Sequence, residues 1–499
     1  MTALRLHEPR RGRFQGAADV VIVGSGAAGA AAADVLTEAG LRVLILDEGH
    51  VHRAGDFTRP FRDALSTLYR GFGAVPARGR GVLPLVQAKA VGGTTLVNGG
   101  ITWRLPEAVH GEWAEAGFAD GLPLDELHRE YDVLDDRLGI TAVPEALLGG
   151  NGGLLARGAE RTGTPGHVIR RNTPTCIGSA RCSQGCPEGA KASMDRSLLP
   201  LACSRGASIL PGARVDRVER DTSGVRAVVG VLVDRQGRRV GHFRALAERA
   251  VVLAASATAT PVVLARSRAR RGVGDGFTAH PGLGLLGLFR DPVRADAGAT
   301  QAWETDFDLD SRIKFESLSL PASVLLARMP GFGEGRAAAV DLLPHVASWG
   351  VQVRARATGT VRSGWFGRRI RYDLTDEDVA VAAAGLEHGA RMMFAAGAEA
   401  VFPGIHGVPE RIGPDDVGRI GEVFRDPRQA HFVATHLFGG ARRGPDESHP
   451  VGLDFQAREL PGTYVVDSSV FPANLGVNPQ HTMMAVARMA AWRIVESLA

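Results

Sequence analysis

The chain is short of lysine, cysteine and aromatic residues, and each shortage excludes something. Of its 58 basic side chains in 499 residues only Lys89, Lys191 and Lys314 are lysines, and 54 acids leave a net charge of +4. The signs alternate and form no long basic block, which argues against a nucleic-acid partner. A run such as ARSRARRG (265–272) reads as a solvated turn. Four cysteines are too few for a disulfide framework, and 6% aromatics give no sugar-stacking signature. Nowhere do roughly 18 apolar residues follow one another uninterrupted. The stretch 247–267 is broken by Thr258, Thr260 and Pro261, so no membrane span is expected. The N-terminus has a basic stretch without the apolar run and small-residue cleavage site of a secretory signal, and the expected location is cytoplasmic.

What is present is glycine in informative places. ADVVIVGSGAAGAAAADVLTEAGLRVLILDEG (18–49) reads as strand, tight turn, helix, strand. Val20–Val23 form a buried parallel strand, the alanine-rich segment to Ala39 is a helix closed by Gly40, and Val43–Leu46 form a second strand ending at Asp47. In this G-x-G-x-x-G, Gly24 permits the turn, Gly26 lets backbone approach a pyrophosphate, and Gly29 lets helix pack on strand. Free N–H groups on the first helical turn would face the phosphates. Asp47 lies 23 positions after Gly24, near the spacing at which an acid accepts from a ribose. The predicted ligand is a dinucleotide.

Residues 212–256 alternate apolar and polar, with turns at Ser223-Gly224 and Gln236-Gly237. They predict a three-stranded meander and then a return strand, Val251–Ala254. Between 286 and 430 the pattern is weaker. One helix stands out there, capped by Thr375, with Asp376 to Asp378 on its first turn, running to about Ala396. The glycine-punctuated stretch 329–340 reads as a surface loop.

Three stretches together resemble the glucose-methanol-choline family of FAD-dependent oxidoreductases: the N-terminal βαβ, VGGTTLVNGGITWR (91–104), and HLFGGARRGP (436–445) with 464–496. The resemblance implies an α/β protein in which a Rossmann-type FAD-binding domain, a parallel sheet plus the three-stranded meander, is interleaved with an α+β substrate domain. The boundaries expected are 12–110, 205–285 and 432–499 for the FAD domain, 111–204 for a cap with a cysteine-rich loop, and 286–431 for substrate binding. It further implies that Gly92, Gly93, Thr94, Thr95 and Asn98 lie against the flavin. Val215 would meet the adenine through its backbone, and Asp467 with Asn478-Pro479 would run along the ribityl chain and ring. Ser256 stands where the family usually has glycine.

By the same resemblance His436 is the catalytic base and Asn478 the second catalytic position, which is His or Asn in the family. A neutral imidazole can take the hydroxyl proton of an alcohol while a hydride leaves for flavin N5, and an amide can orient the substrate oxygen without carrying charge. His481 is the rival base, expected to face elsewhere, and His280 is expected to be structural. The GVNP form at Gly476–Pro479 leans towards an apolar or secondary alcohol. A lyase or decarboxylase of the same fold is the alternative activity.

Cys176, Cys182 and Cys186 form C-x5-C-x3-C-P, ending at Pro187. In the family's bacterial glucose and fructose dehydrogenases, which work with an electron-accepting subunit, a similar run binds a three-iron four-sulfur cluster. An ordered metal-free loop, a disulfide and zinc stay open beside it. A cluster would make the enzyme a dehydrogenase passing electrons to a protein or quinone, and a dehydrogenase is expected over an oxidase; without a cluster dioxygen could serve. Cys203 lies outside the run and reads as a small buried residue.

Overall fold

The computed structural model describes residues 3–9, 12–58, 60–220, 224, 226–331, 333–364 and 367–499. Its first sheet orders the strands Ser208–Pro211, Val43–Asp47, Arg13–Val23, Arg239–Leu253, Arg226–Val233 and Ala213–Arg220, with Thr463–Val465 alongside the end of Arg239–Leu253. The first four are mutually parallel and the last two antiparallel, so a nucleotide-type sheet continues directly into the meander. Val20 to Val23 are buried on both faces, as a near-continuous apolar run requires when helices cover the sheet. The alanine side chains of the helix Ala27–Glu38 let it lie close on this layer against the C-terminal helix Gln480–Leu498.

Two strands are longer than their sequence suggests. The meander's third strand and the return strand are one element, Arg239–Leu253, because no glycine or proline interrupts 242–253. Its first half pairs with Arg226–Val233 and its end with Thr463–Val465. The first strand begins at Arg13, with a register shift between Ala18 and Val20. Ser223 of the predicted Ser223-Gly224 turn lies outside the described residues.

The second sheet orders Gly359–Gly364, Gly367–Arg371, Val75–Arg78, Val82–Leu85, Val433–Phe438, Asp275–Leu288, Val346–Val353, Ile313–Ser317, Trp303–Thr305 and Gly166–Val168. The helix Asp376–Ala395 covers one face of it. Thr375 Oγ1 accepts from the Asp378 N–H and the Asp378 carboxylate accepts from the Thr375 N–H, the expected cap. A Cβ at Gly385 or Gly389 would meet Val351 or Leu285 and Phe315 at 2.9 Å, so helix and sheet touch closely. Strand side chains alternate, and the residues between these, Lys314, Glu316, Gly350, Gln352 and Gly284, face the other way. The stretch 329–340 is not all loop, since Glu334–Leu342 is a helix. Among the described residues no helix is long and apolar enough to cross a membrane.

Candidate active site

One cavity of about 1610 Å³ runs from the first glycine turn to the uncovered face of the second sheet. It exceeds the roughly 300–1,000 Å³ of ordinary ligand pockets. At one end the helix Ala27–Glu38 starts at Gly26 with no side-chain cap, so the N–H groups of its first turn are left to a ligand, and Ala27 and Ala28 line the wall. Gly24 has φ +102°, and a Cβ there would lie 2.3 Å from the Ala254 carbonyl oxygen; a Cβ on Gly29 would strike the Gly24 carbonyl at 2.0 Å. The second glycine loop crosses the first, and a Cβ on Gly93 would sit 2.7 Å from Gly26 Cα. A cleft of this size, bare of side chains where an uncapped helix begins, fits a dinucleotide such as FAD.

Asp47 lines the cleft, but its carboxylate is already engaged. Oδ2 accepts from the Ser25 N–H at 2.9 Å and from the Ser25 hydroxyl at 2.5 Å, and Oδ1 accepts from the Gly49 N–H at 2.7 Å. The same Ser25 hydroxyl accepts from the Gly92 N–H at 2.9 Å, so Asp47 ties both glycine loops together. Glu48 lines the cleft beside it, paired with Arg70 at 2.8 Å. Val215 also lines the cleft, on the edge strand Ala213–Arg220, beside a register shift.

Ser256 adopts φ +91°, the conformation that favours glycine. Its hydroxyl is held by Gln87 Nε2 and Thr258 Oγ1, each at 3.3 Å, and its N–H donates to Asp467 Oδ2 at 2.9 Å. Asp467 is buried and accepts as well from Thr260 Oγ1 at 2.5 Å and the Ser469 N–H at 2.8 Å. Burial pushes its carboxyl above the usual carboxylate range.

The loop carrying Gly92, Gly93, Thr94, Thr95 and Asn98 is fixed from behind. The Thr95 hydroxyl donates to the Gly92 carbonyl at 2.6 Å, Thr94 Oγ1 accepts from the Ala88 N–H at 3.2 Å, and Asn98 Nδ2 donates to Gln480 Oε1 at 2.6 Å. Lys191 is fully buried and donates to the carbonyls of Leu96 and Asn98, both at 2.8 Å, while Arg171 Nε donates to the Gly99 carbonyl at 2.6 Å. Both cations belong to the segment around the cysteine run. Arg171 Nη2 also donates to Cys182 Sγ at 3.0 Å, and the charges of Arg171 and Lys191 outweigh burial to bring the Cys182 thiol below its ordinary value.

Cys176, Cys182 and Cys186 are free thiols lining a space of only about 10 Å³, room for one water at most. Among the described residues no three His, Cys, Asp or Glu side chains are placed to hold one metal ion. As arranged the loop does not fit a three-iron four-sulfur cluster, and the cluster expectation receives no support. Cys203 is a buried free thiol, as expected.

At the far end of the cavity, register pairs His280 with His436 across neighbouring strands. Their Nδ1 atoms are 3.1 Å apart, so one imidazole donates and the other accepts. Burial first, and the Lys314 charge second, hold His436 down to about 3, and burial, with the cost of placing a second charge beside His436, sets His280 well below the ordinary imidazole value. Both rings are therefore neutral. His280, expected to be structural, is the hydrogen-bonding partner of the candidate base, and its Nε2 is buried with no partner among the described residues. His481 faces elsewhere: its ring lies 4.6 Å from that of Tyr131, and Nε2 meets Asp135 at 3.2 Å.

Asn478 shares the cavity wall with His436 and is joined to a cluster that sequence reading missed. The Lys314 ammonium, fully buried, donates to Asn478 Oδ1 at 2.7 Å and to Glu304 Oε2 and Glu316 Oε1, both at 2.5 Å. Glu316 also accepts from Gln301 Nε2. Beyond the cluster Leu283, Leu286, Leu318, Leu320 and Val324 line the wall, with Arg328, Ser348 and Gln352 among them. Its floor is bare backbone where Gly284 and Gly350 stand opposite each other.

The glycine cleft and the imidazole pair at two ends of one cavity define a two-domain dinucleotide-dependent oxidoreductase. The model of the GMC oxidoreductase N-terminal region matches residues 17–282 and that of the C-terminal region 359–487. The chain belongs to the glucose-methanol-choline oxidoreductase family of FAD flavoproteins. It is 36% identical over 485 residues to an uncharacterized GMC-type oxidoreductase of Mycobacterium tuberculosis, covering 95% of this chain and 75% of the relative. A long-chain-alcohol oxidase of Arabidopsis thaliana is 27% identical over 516 residues, covering 96% and 68%. The fold matches that of a formate oxidase variant from Aspergillus oryzae with TM-score 0.73 and 15% identity, over 97% of this chain and 98% of that one.

Proposed function

We propose that the protein oxidises the CH–OH group of an apolar alcohol to a carbonyl, with His436 as base and Asn478 orienting the substrate oxygen. The observation that carries this reading is the neutral His280–His436 pair on the wall that Asn478 shares. For His436 to accept a proton at Nε2, its Nδ1–H must donate to His280 Nδ1, which puts the His280 proton on Nε2. His280 thereby selects the tautomer of the base. The Lys314 ammonium occupies Asn478 Oδ1 and leaves the amide NH2 as a donor towards the substrate oxygen as negative charge grows there. FAD, when bound, supplies the two-electron acceptor that takes the hydride at N5. Gly24, Gly26, Gly29, Gly92 and Gly93 would admit it, Ala27 and Ala28 would offer N–H groups to its phosphates, and the Asn478-Pro479 segment would lie beside its ring.

The wall's leucines and Val324 and the glycine floor support a substrate with a hydrocarbon body, as does the relative named a long-chain-alcohol oxidase. The expectation of a dehydrogenase rested on the cysteine run, which offers it no support, and relatives named oxidases favour dioxygen as acceptor. The test is anaerobic bleaching of the bound flavin by a panel of alcohols, followed by peroxide measurement in air. Bleaching by apolar alcohols with one peroxide per carbonyl formed supports the reading. An FAD-loaded protein bleached by no alcohol overturns it in favour of a lyase or decarboxylase.

A further inference from the structure

We propose that Lys314 is a positioning residue that locks the amide of Asn478 with its NH2 towards the substrate oxygen. This rests on the alcohol-oxidation reading above. The residue sits within the strand Ile313–Ser317, where alternation turns Ile313 and Phe315 to the helix-covered face and Lys314 and Glu316 to the cavity side. Its ammonium has three hydrogens and three acceptors, Glu304 Oε2, Glu316 Oε1 and Asn478 Oδ1, and the Trp103 ring lies 5.3 Å away. An ammonium donates and never accepts, so only the oxygen end of the Asn478 amide can face it. A neutral hydroxyl or amide in its place could pair with either end.

Fold stability alone gives no reason for such a cluster. Well-packed apolar side chains commonly replace a buried ion group at equal or better stability. What apolar side chains cannot supply is a donor aimed at Asn478. The two glutamates keep the ammonium charged where burial alone would discharge it. Glu304 is held in turn by His167 at 3.4 Å and Glu316 by Gln301, so the anchor is braced from both sides. The signal was visible in the sequence only as one of three lysines inside an otherwise strand-like I-K-F-E-S.

The test is a double-mutant cycle on the FAD-loaded enzyme with Lys314→Gln and Asn478→Ala. The readouts are the anaerobic flavin-reduction rate at saturating alcohol, KM, and a crystal structure of the Lys314 variant. Lys314→Gln should slow reduction about tenfold to a hundredfold, the weight of a hydrogen bond to a charged group, with KM little changed. In the Asn478→Ala background it should cause no further loss, and the crystal structure should show the amide turned from its wild-type position. Should the single variant fail to fold, the neutral cluster Lys314→Met/Glu304→Gln/Glu316→Gln enters the same cycle. Equal slowing in both backgrounds, or an unmoved Asn478 amide, refutes the proposal. Wild-type flavin that no alcohol reduces refutes the alcohol reading instead, and the amide position still decides the role of Lys314.

Discussion

Flavin reduction should be insensitive to pH through the range in which ordinary histidines titrate. An exposed imidazole with a pKa of about 6.5 is only roughly 3% neutral at pH 5. His436, held down to about 3 by burial and by Lys314, is on the order of 99% neutral at that pH. The base form is lost only as pH falls through the folded-state value. The rate constant for anaerobic reduction at saturating alcohol, followed by stopped flow, should therefore stay level from pH 8 to about pH 5. Stability follows the opposite limb of the same linkage. Below about 6.5 the unfolded chain protonates these histidines while the fold does not, so the unfolded state binds more protons and stability falls as pH drops towards 3. His280, also lowered, adds in the same direction. Melting temperatures should thus decline below pH 6.5 while the reduction rate of the folded fraction does not. A reduction rate that titrates with an apparent pKa near 6.5 would refute the environment described for His436.

Three further outcomes follow from the geometry. Gly93→Ala puts a Cβ 2.7 Å from Gly26 Cα at a residue with φ +60°, and the purified protein should lose most of its FAD absorbance relative to wild type. Gly284→Leu meets open space and should fold normally, yet flavin reduction by long or bulky alcohols should slow at least tenfold more than reduction by short ones. Lys191→Met leaves the carbonyls of Leu96 and Asn98 without their donor and should destabilise by about 2–3 kcal/mol, read as a lower denaturation midpoint, with weakened FAD retention.

The parts legible in sequence are those whose physics is local. Gly24, Gly26 and Gly29 announce their turn because each glycine has a steric reason within a few residues, and Thr375 announces its helix because the cap is closed by Asp378. What escaped reading depends on pairings distant along the chain. His280 becomes the partner of His436 through register between strands 156 residues apart. Lys314, read alone, is an ordinary charge on a strand, and only the fold brings Glu304 and Asn478 to it. Asp34, in a helix of alanines, looks out of place until Arg137 and Arg488 converge on it from two other helices and Arg205 from just past the helix Leu198–Ser204. The strand Arg239–Leu253 reads as two because its pattern changes from alternating to continuous where its neighbours change, although the backbone runs on.

The most direct test of the account is anaerobic flavin reduction by an alcohol that bleaches the wild type, measured on His436→Ala with matched FAD content. Loss of the base should lower the rate constant by about 10²–10⁴ while the bound flavin's spectrum is retained. A variant that reduces its flavin within a few-fold of wild type would show that the imidazole at 436 is not where the proton goes.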